Sequence, residues 1–122
     1  MAFDPDFNEW VREHFDALGR LEIKRLFGGA GVYAGGLMFA LLDDGVVWLK
    51  ADYDLAEMFE AAGSRLFTYP AKDGRTLSLG YWSLPETALD DPEEAVSWAR
   101  RSLDVALRKA AGKKRKTTLP AD

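Results

Sequence analysis

Residues 4–19 carry apolar side chains at the spacing of an α-helix. These side chains recur about every three to four residues, at Phe7, Trp10, Val11, Leu18 and either His14 or Phe15. Asp4 is suited to cap the helix, and Pro5 is suited to its first position. Gly19 is placed to end it. We therefore predict a first helix here.

The next stretch changes to the two-residue period of β-strands. Apolar and polar side chains alternate between Leu21 and Phe27, and three further apolar runs follow. Gly35-Gly36 and Asp43-Asp44-Gly45 supply the turns of tight hairpins between these runs. We predict extended segments at 21–27, 32–34, 37–42 and 46–50.

The second half repeats this alternation of helix and strand. Asp54 and Glu57 form a capping-box-like pair for a helix that Gly63 ends. Asp91 caps a final helix with Pro92 at its first position. Between these helices we predict extended segments at 66–69 and 77–82, a turn at 72–75 and a short helical turn at 85–89.

The predicted order is α-β-β-β-α-β-β-α, joined by short turns. This order is typical of an α+β, two-layer fold, with helices packed on a mainly antiparallel sheet. A chain of 122 residues fits one domain. We assign residues 1–112 to that domain and residues 113–122 to a basic flexible tail.

Composition excludes several kinds of chemistry. The chain has no cysteine, so disulfides, thiolate catalysis and cysteine-based metal sites are absent, and one histidine, His14, excludes centres that need two. We predict no metal, no cofactor and no catalytic residues. The first residues are acidic rather than basic and then apolar, and no apolar run approaches the roughly 20 residues of a membrane span. We expect a cytoplasmic protein without a membrane partner.

The net charge of −4 conceals a division along the chain. Residues 1–107 have a balance of −9, whereas residues 108–122 have a balance of +5. A basic run on an acidic body can contact the phosphates of nucleic acid with salt-dependent affinity, although cations also favour a helix C-terminus for local reasons. The residues that would make such contacts are Arg108, Lys109, Lys113, Lys114, Arg115 and Lys116.

Five of the eleven glycines lie between Arg25 and Phe39. The segment from Arg25 to Tyr33, together with later runs at 36–41, 47–50, 59–64 and 67–69, resembles the N-terminal domain of the TfoX/Sxy family of competence regulators. The resemblance covers roughly residues 5–108. The residues that carry the motif, and that are our candidates for binding, are Arg25, Phe27, Gly28, Gly29, Gly31, Tyr33 and Gly36.

The resemblance implies a fold like that of type III secretion chaperones. It implies no catalytic residues. The longer regulators of the family have a second, helical domain, and we expect this chain to be a stand-alone relative that ends before such a domain. A role that needs the second domain is therefore not implied.

The glycine segment does not match a phosphate loop. A P-loop needs Gly-Lys-Ser/Thr at the start of a helix, whereas Gly28 to Gly31 lead into a strand. We interpret the glycines as a bulge and a hairpin, with a small-anion or ligand loop as the alternative. Arg25 could bind an anion through its guanidinium, or it could pair with an acid inside the fold.

The aromatic residues have two possible uses as well. Trp48, Tyr69, Tyr81 and Trp82 could stack on nucleic-acid bases, but a stacking surface needs basic neighbours and the body is acidic, so core packing is the preferred interpretation. Tyr81 and Trp82 must point to opposite faces of their strand. We interpret His14 as a structural or surface residue.

The leading functional hypothesis is a non-enzymatic regulatory or protein-interaction module. Its partner would be an unidentified protein, with the transcription machinery as a candidate. One alternative is a weak nucleic-acid-binding protein that uses its basic tail. Another is a small-ligand-binding protein or enzyme that uses Arg25 and the glycine hairpin. We also predict a homodimer, by analogy to chaperone-like dimers.

Overall fold

The fold was determined as a computed structural model, and the structure describes residues 4–26 and 28–118, with side chains up to residue 112. Three helices and six strands form the described part. Their bounds are α1 Pro5–His14, β1 Glu22–Leu26, β2 Gly29–Ala34, β3 Leu37–Asp43, β4 Val46–Lys50, α2 Tyr53–Ala61, β5 Leu66–Pro70, β6 Thr76–Ser83 and α3 Pro92–Thr118. Short 3-10 turns at Asp16–Leu18 and Glu86–Asp90 follow α1 and precede α3.

The six strands form one antiparallel sheet in the order β1-β2-β3-β4-β6-β5. Helix α3 packs on β3 and β4, and α2 packs on β6. The predicted α+β class, with helices on an antiparallel sheet, is confirmed. The predicted order gives three strands before α2, one fewer than the four extended segments predicted there, and the structure has four strands before α2, with β2 a strand of six residues.

The helix starts follow the predicted capping chemistry with one correction. The Oδ1 atom of Asp4 accepts hydrogen bonds from the backbone N–H groups of Asp6 and Phe7, at 3.1 and 3.2 Å. Helix α2 starts earlier than predicted. Its cap is Asp52, whose Oδ1 accepts from the Leu55 N–H at 2.9 Å, so the Asp54–Glu57 pair lies inside the helix.

The main core lies between the helices and one face of the sheet. Phe59 of α2 stacks on Trp98 of α3 with ring centroids 4.7 Å apart. His14 is buried at the end of α1, where its Nε2 lies 2.8 Å from the Ala88 carbonyl oxygen and its ring stacks on Trp10. This hydrogen bond joins α1 to the 3-10 turn before α3, which is a structural role.

Helix α3 continues past Gly112 to Thr118. The predicted tail at 113–122 therefore begins inside this helix, and its last four residues lie outside the described residues, as does Phe27. The division at residue 112 and the flexibility of the tail stay predictions. In the part of the chain that the structure describes, no helix is long and apolar enough to cross a membrane.

Candidate functional site

Among the described residues, the helices pack on one face of the sheet and leave the other face uncovered. Trp48 alternates along β4 with Val47 and Leu49, which point into the main core. Its side chain therefore lies on the opposite side, where a second apolar cluster is built from strand residues alone. We call this surface the open face, and its apolar residues are Leu26, Tyr33, Met38, Leu41, Val46, Trp48, Phe67 and Tyr81.

Two motif glycines let side chains and strands pack closely at this surface. A Cβ at Gly31 would lie 2.9 Å from the Met38 Sδ and 3.2 Å from the Cε1 of Tyr33, so these side chains fill the space above the glycine. A Cβ at Gly29 would overlap the Leu42 carbonyl oxygen. Glycine at these two positions therefore lets the side chains of Met38 and Tyr33 and the β3 backbone lie close to the β2 backbone.

The other motif glycines form turns. Gly28 has φ +85° between β1 and β2, and Gly36 has φ +81° in the hairpin between β2 and β3. Both angles are in the region that favours glycine. The segment joins strand to strand and opens no helix, as the bulge-and-hairpin interpretation expected. The register shift between β2 and β3 lies at Val32 and Tyr33, two residues that follow Gly31 and are not glycines.

The candidate binding residues do not meet in one place. Arg25 alternates with Lys24 on β1, and it pairs in register with Ala30, a residue of the main core. Its side chain is exposed at the sheet edge on the helix side, whereas Tyr33 and Gly31 belong to the open face. Phe27 lies outside the described residues. The motif therefore contributes to two different surfaces.

Three basic side chains lie over aromatic rings of the open face. The Lys24 Nζ is 5.0 Å from the ring centroid of Tyr33, and the Lys50 Nζ is 6.0 Å from that of Tyr81. The Cζ of Arg65 is 5.3 Å from the ring centroid of Trp48. These distances are those of cation–π contacts. The expectation that the aromatic residues lack basic neighbours was wrong.

Sequence reasoning missed these three cations because it averaged charge over the whole body. A local signal was present, since Lys50 follows Trp48 by two residues and must share its face of the strand. The prediction that Tyr81 and Trp82 lie on opposite faces is confirmed, because Trp82 packs against the main core. Trp48 and Tyr81 are buried, as the core-packing interpretation predicted.

Two polar groups of the open face, the Trp48 indole N–H and the Tyr81 hydroxyl, lie in buried side chains. The indole Nε1 of Trp48 is buried and has no hydrogen-bond partner among the described residues. A buried donor without an acceptor costs free energy, so this N–H is available to an incoming acceptor. Burial, with a smaller effect of Tyr33, raises the pKa of Tyr81 to about 12.

The basic residues of the tail are only partly described. Arg108 donates to Asp104 at 3.0 Å and to Asp52 at 3.1 Å. The hydrogen bond to Asp104, followed by that to Asp52, raises the pKa of Arg108. Lys109 is exposed, and the side chains of the remaining four residues of the run lie outside the description. Arg108 therefore already has acidic partners within the chain.

Comparison with known proteins agrees with this fold and motif. The TfoX N-terminal domain family matches residues 13–106, and the chain belongs to that family. A related protein is Protein Sxy of Escherichia coli (strain K12), which is 29% identical over 97 residues. That alignment covers 80% of this chain and 46% of the relative, so the chain spans about half the length of the curated relative it matches.

Proposed function

We propose that the protein is a non-enzymatic regulatory module of the cytoplasm that binds a protein partner through the open face of its sheet. Membership in the TfoX N-terminal domain family supports a regulatory role. The observation that carries the proposed surface is the row of three cation–aromatic contacts on a face that the helices leave uncovered. The transcription machinery is the candidate setting.

The chemistry of this face favours an acidic protein segment as the partner. Lys24, Lys50 and Arg65 would attract carboxylates to a surface of an otherwise acidic body. A carboxylate or carbonyl oxygen that displaces Arg65 could accept the unpartnered N–H of Trp48. Stacking of nucleic-acid bases is less favoured here, because the cations already lie over the three rings.

Charge reversal on the open face tests the proposal. A tagged Lys24→Glu/Lys50→Glu/Arg65→Glu variant, expressed in the native host, should recover the partners of the unaltered chain about tenfold less well. The matched control is Arg12→Glu/Arg20→Glu/Lys72→Glu, which makes the same charge change at exposed positions elsewhere. Circular dichroism checks that both variants are folded.

Three outcomes would count against the proposal. Equal recovery of partners by both triple variants would remove the open face from the interaction. Loss of partners from the control variant alone would place the contact elsewhere. Reproducible turnover of a metabolite by the unaltered chain would contradict the non-enzymatic role.

The open face also favours a second proposal, a homodimer in which two such faces meet. Its apolar floor would be further buried by a second copy. Light scattering on a size-exclusion column at micromolar concentration should then give twice the chain mass of 13.6 kDa. A species of 13.6 kDa would refute the dimer and leave the face to another partner. The alternative that uses Arg25 and the glycine hairpin for a small ligand stays a prediction.

A further inference from the structure

A cavity of about 420 Å³ lies at one end of the sheet, between the start of α1 and the turn that joins β3 to β4. Its volume is within the range of small-molecule sites. Its polar walls come from Asp4, Asn8, Asp43 and Asp44. We propose that this cavity binds a guanidinium or ammonium group carried on a short aliphatic chain.

The side chain of Asn8, a largely buried residue, is the first observation that points to a ligand. Asn8 is only 5% exposed, and it lines the cavity. No hydrogen bond joins its side chain to any residue of the described ranges 4–26 and 28–112. The small exposed part of Asn8 lies at the cavity. The carboxamide oxygen is an acceptor that an N–H group of a bound cation would satisfy.

The charge of the cavity selects a cation. Three acidic residues line it, and its described lining residues include no lysine, arginine or histidine. Asp43 and Asp44 form no ion pair with any other described residue, whereas Asp4 already uses one oxygen to cap α1. Asp43 is half-buried, so a cation beside it would be partly shielded from water. Two carboxylates are therefore open to a new partner.

The remaining walls fit an aliphatic stem. Phe7, Ala30 and Leu42 supply apolar surface beside the acidic groups. Gly29 lies at the same wall, where a side chain would meet the Leu42 carbonyl oxygen and lie about 3.5 Å from the Asp43 Oδ1. The family glycine therefore leaves this wall without a side chain. Methylene groups can pack on the apolar wall while the cationic end reaches Asn8 and Asp43.

Such a group can come from a free amine or from a lysine or arginine side chain of a partner. Both sources present the same chemistry to the cavity. The test therefore uses butylguanidinium and butylammonium as free cations, and a blocked Gly-Arg-Gly peptide as the side-chain form. Butylurea is the neutral control, because it keeps the shape of butylguanidinium and lacks its charge.

The experiment is an NMR titration of the ¹⁵N-labelled full chain up to about 10 mM probe. The cationic probes should cause saturable shifts at the signals of Asn8, Gly29 and Gly45, and butylurea should bind at least about tenfold more weakly. An Asp43→Asn/Asp44→Asn variant should lose about tenfold in affinity. Asparagine accepts the positive φ of residue 44, so the turn is retained.

The control variant is Glu57→Gln/Glu60→Gln, which makes the same charge change on the exposed face of α2. It should bind as the unaltered chain does, and an Asn8→Ala variant should bind more weakly. Tighter binding of the peptide than of butylguanidinium assigns the site to a partner side chain, and the reverse assigns it to a free amine. Absence of saturable shifts, equal binding of butylurea, or equal losses in the two acidic variants would overturn the proposal.

Discussion

The Arg65 guanidinium lies over the ring of Trp48, with 5.3 Å between its Cζ and the ring centroid. Trp48 is only 7% exposed, although the described residues that pack around it all come from strands of the sheet. The charged side chain therefore covers part of an apolar floor that would otherwise face water. Arg65 thus shields the indole from water and keeps its own charge in contact with solvent.

Removal of this cover should have a measurable cost. An Arg65→Ala substitution is expected to lower the free energy of unfolding by about 0.5–1 kcal/mol, the range of an exposed cation–π contact. It should also speed solvent exchange of the Trp48 indole N–H in NMR spectra. Arg101→Ala, which removes a similar contact over Trp98, should leave the Trp48 exchange rate unchanged. Unaltered exchange in Arg65→Ala would contradict the covering role.

An added methyl group at Gly31 is expected to cost stability. A Gly31→Ala substitution would force Met38 and Tyr33 away from the strand and destabilise the chain by about 1–3 kcal/mol, as overpacking does. Gly112→Ala is the control, because its Cβ meets nothing within 4 Å and alanine favours a helix. Urea denaturation measures both. A stable Gly31→Ala variant would show that the close packing above this glycine is dispensable.

Tyr81 should make the chain less stable at high pH. Its pKa is raised from 10.0 to about 12 by burial, so the folded state favours the neutral phenol. The stabilisation is present below pH 10 and is lost as the pH rises toward 12. Urea denaturation between pH 9 and 12 should show this loss, and Tyr81→Phe should flatten it. An ordinary titration of all four tyrosines by ultraviolet absorbance would contradict the prediction.

Asp52 should stabilise α2 above the acid range. Its pKa lies below 3.8, chiefly because its carboxylate accepts the Leu55 N–H, with a smaller contribution from Arg108. The stabilisation is therefore present above pH 3.8 and is lost as the pH falls through the lowered value. Asp52→Ala should cost about 1 kcal/mol at pH 7, the usual cost of a lost cap. Asp54→Ala should have a smaller effect, and equal effects would contradict the assignment of the cap.

The basic run at the end of α3 predicts a salt-dependent contact with nucleic acid. The chain that ends at residue 108 should bind DNA more weakly than the full chain at low salt, and the difference should shrink as salt is raised. Fluorescence anisotropy with a labelled duplex measures both. Identical binding before and after truncation would exclude the tail from any such contact.

Local features of the fold were predictable because they depend on neighbouring residues. Asp4 and Pro5 mark the start of α1, and Gly35-Gly36 marks a hairpin, through preferences that act over a few positions. The start of α2 was placed wrongly, since Asp52 and Asp54 are both suitable caps and only the packing of Leu55 into the core distinguishes them.

The sites were less predictable, because they depend on which strands become neighbours. Arg65 and Trp48 are distant in sequence, and they meet only because β4 pairs with β6 while β6 pairs with β5. The sequence does indicate the burial of Asn8. It precedes Val11 and Phe15 by three and seven residues, so it lies on the buried side of α1. Asp43 and Asp44 come from the end of β3 and the turn that follows it, and no local sequence pattern places that turn beside α1.

The strand order has a consequence for how the chain folds. Strands β1 to β4 pair with their neighbours in sequence, so this half can form through short loops. The pairing of Lys50 with Tyr81 must instead close a long loop that contains α2 and β5. We expect the β1–β4 meander to form first and the pairing of β4 with β6 to limit the folding rate. Trp48 is one of the β4 residues in that pairing, so the open face would be completed only in the last step.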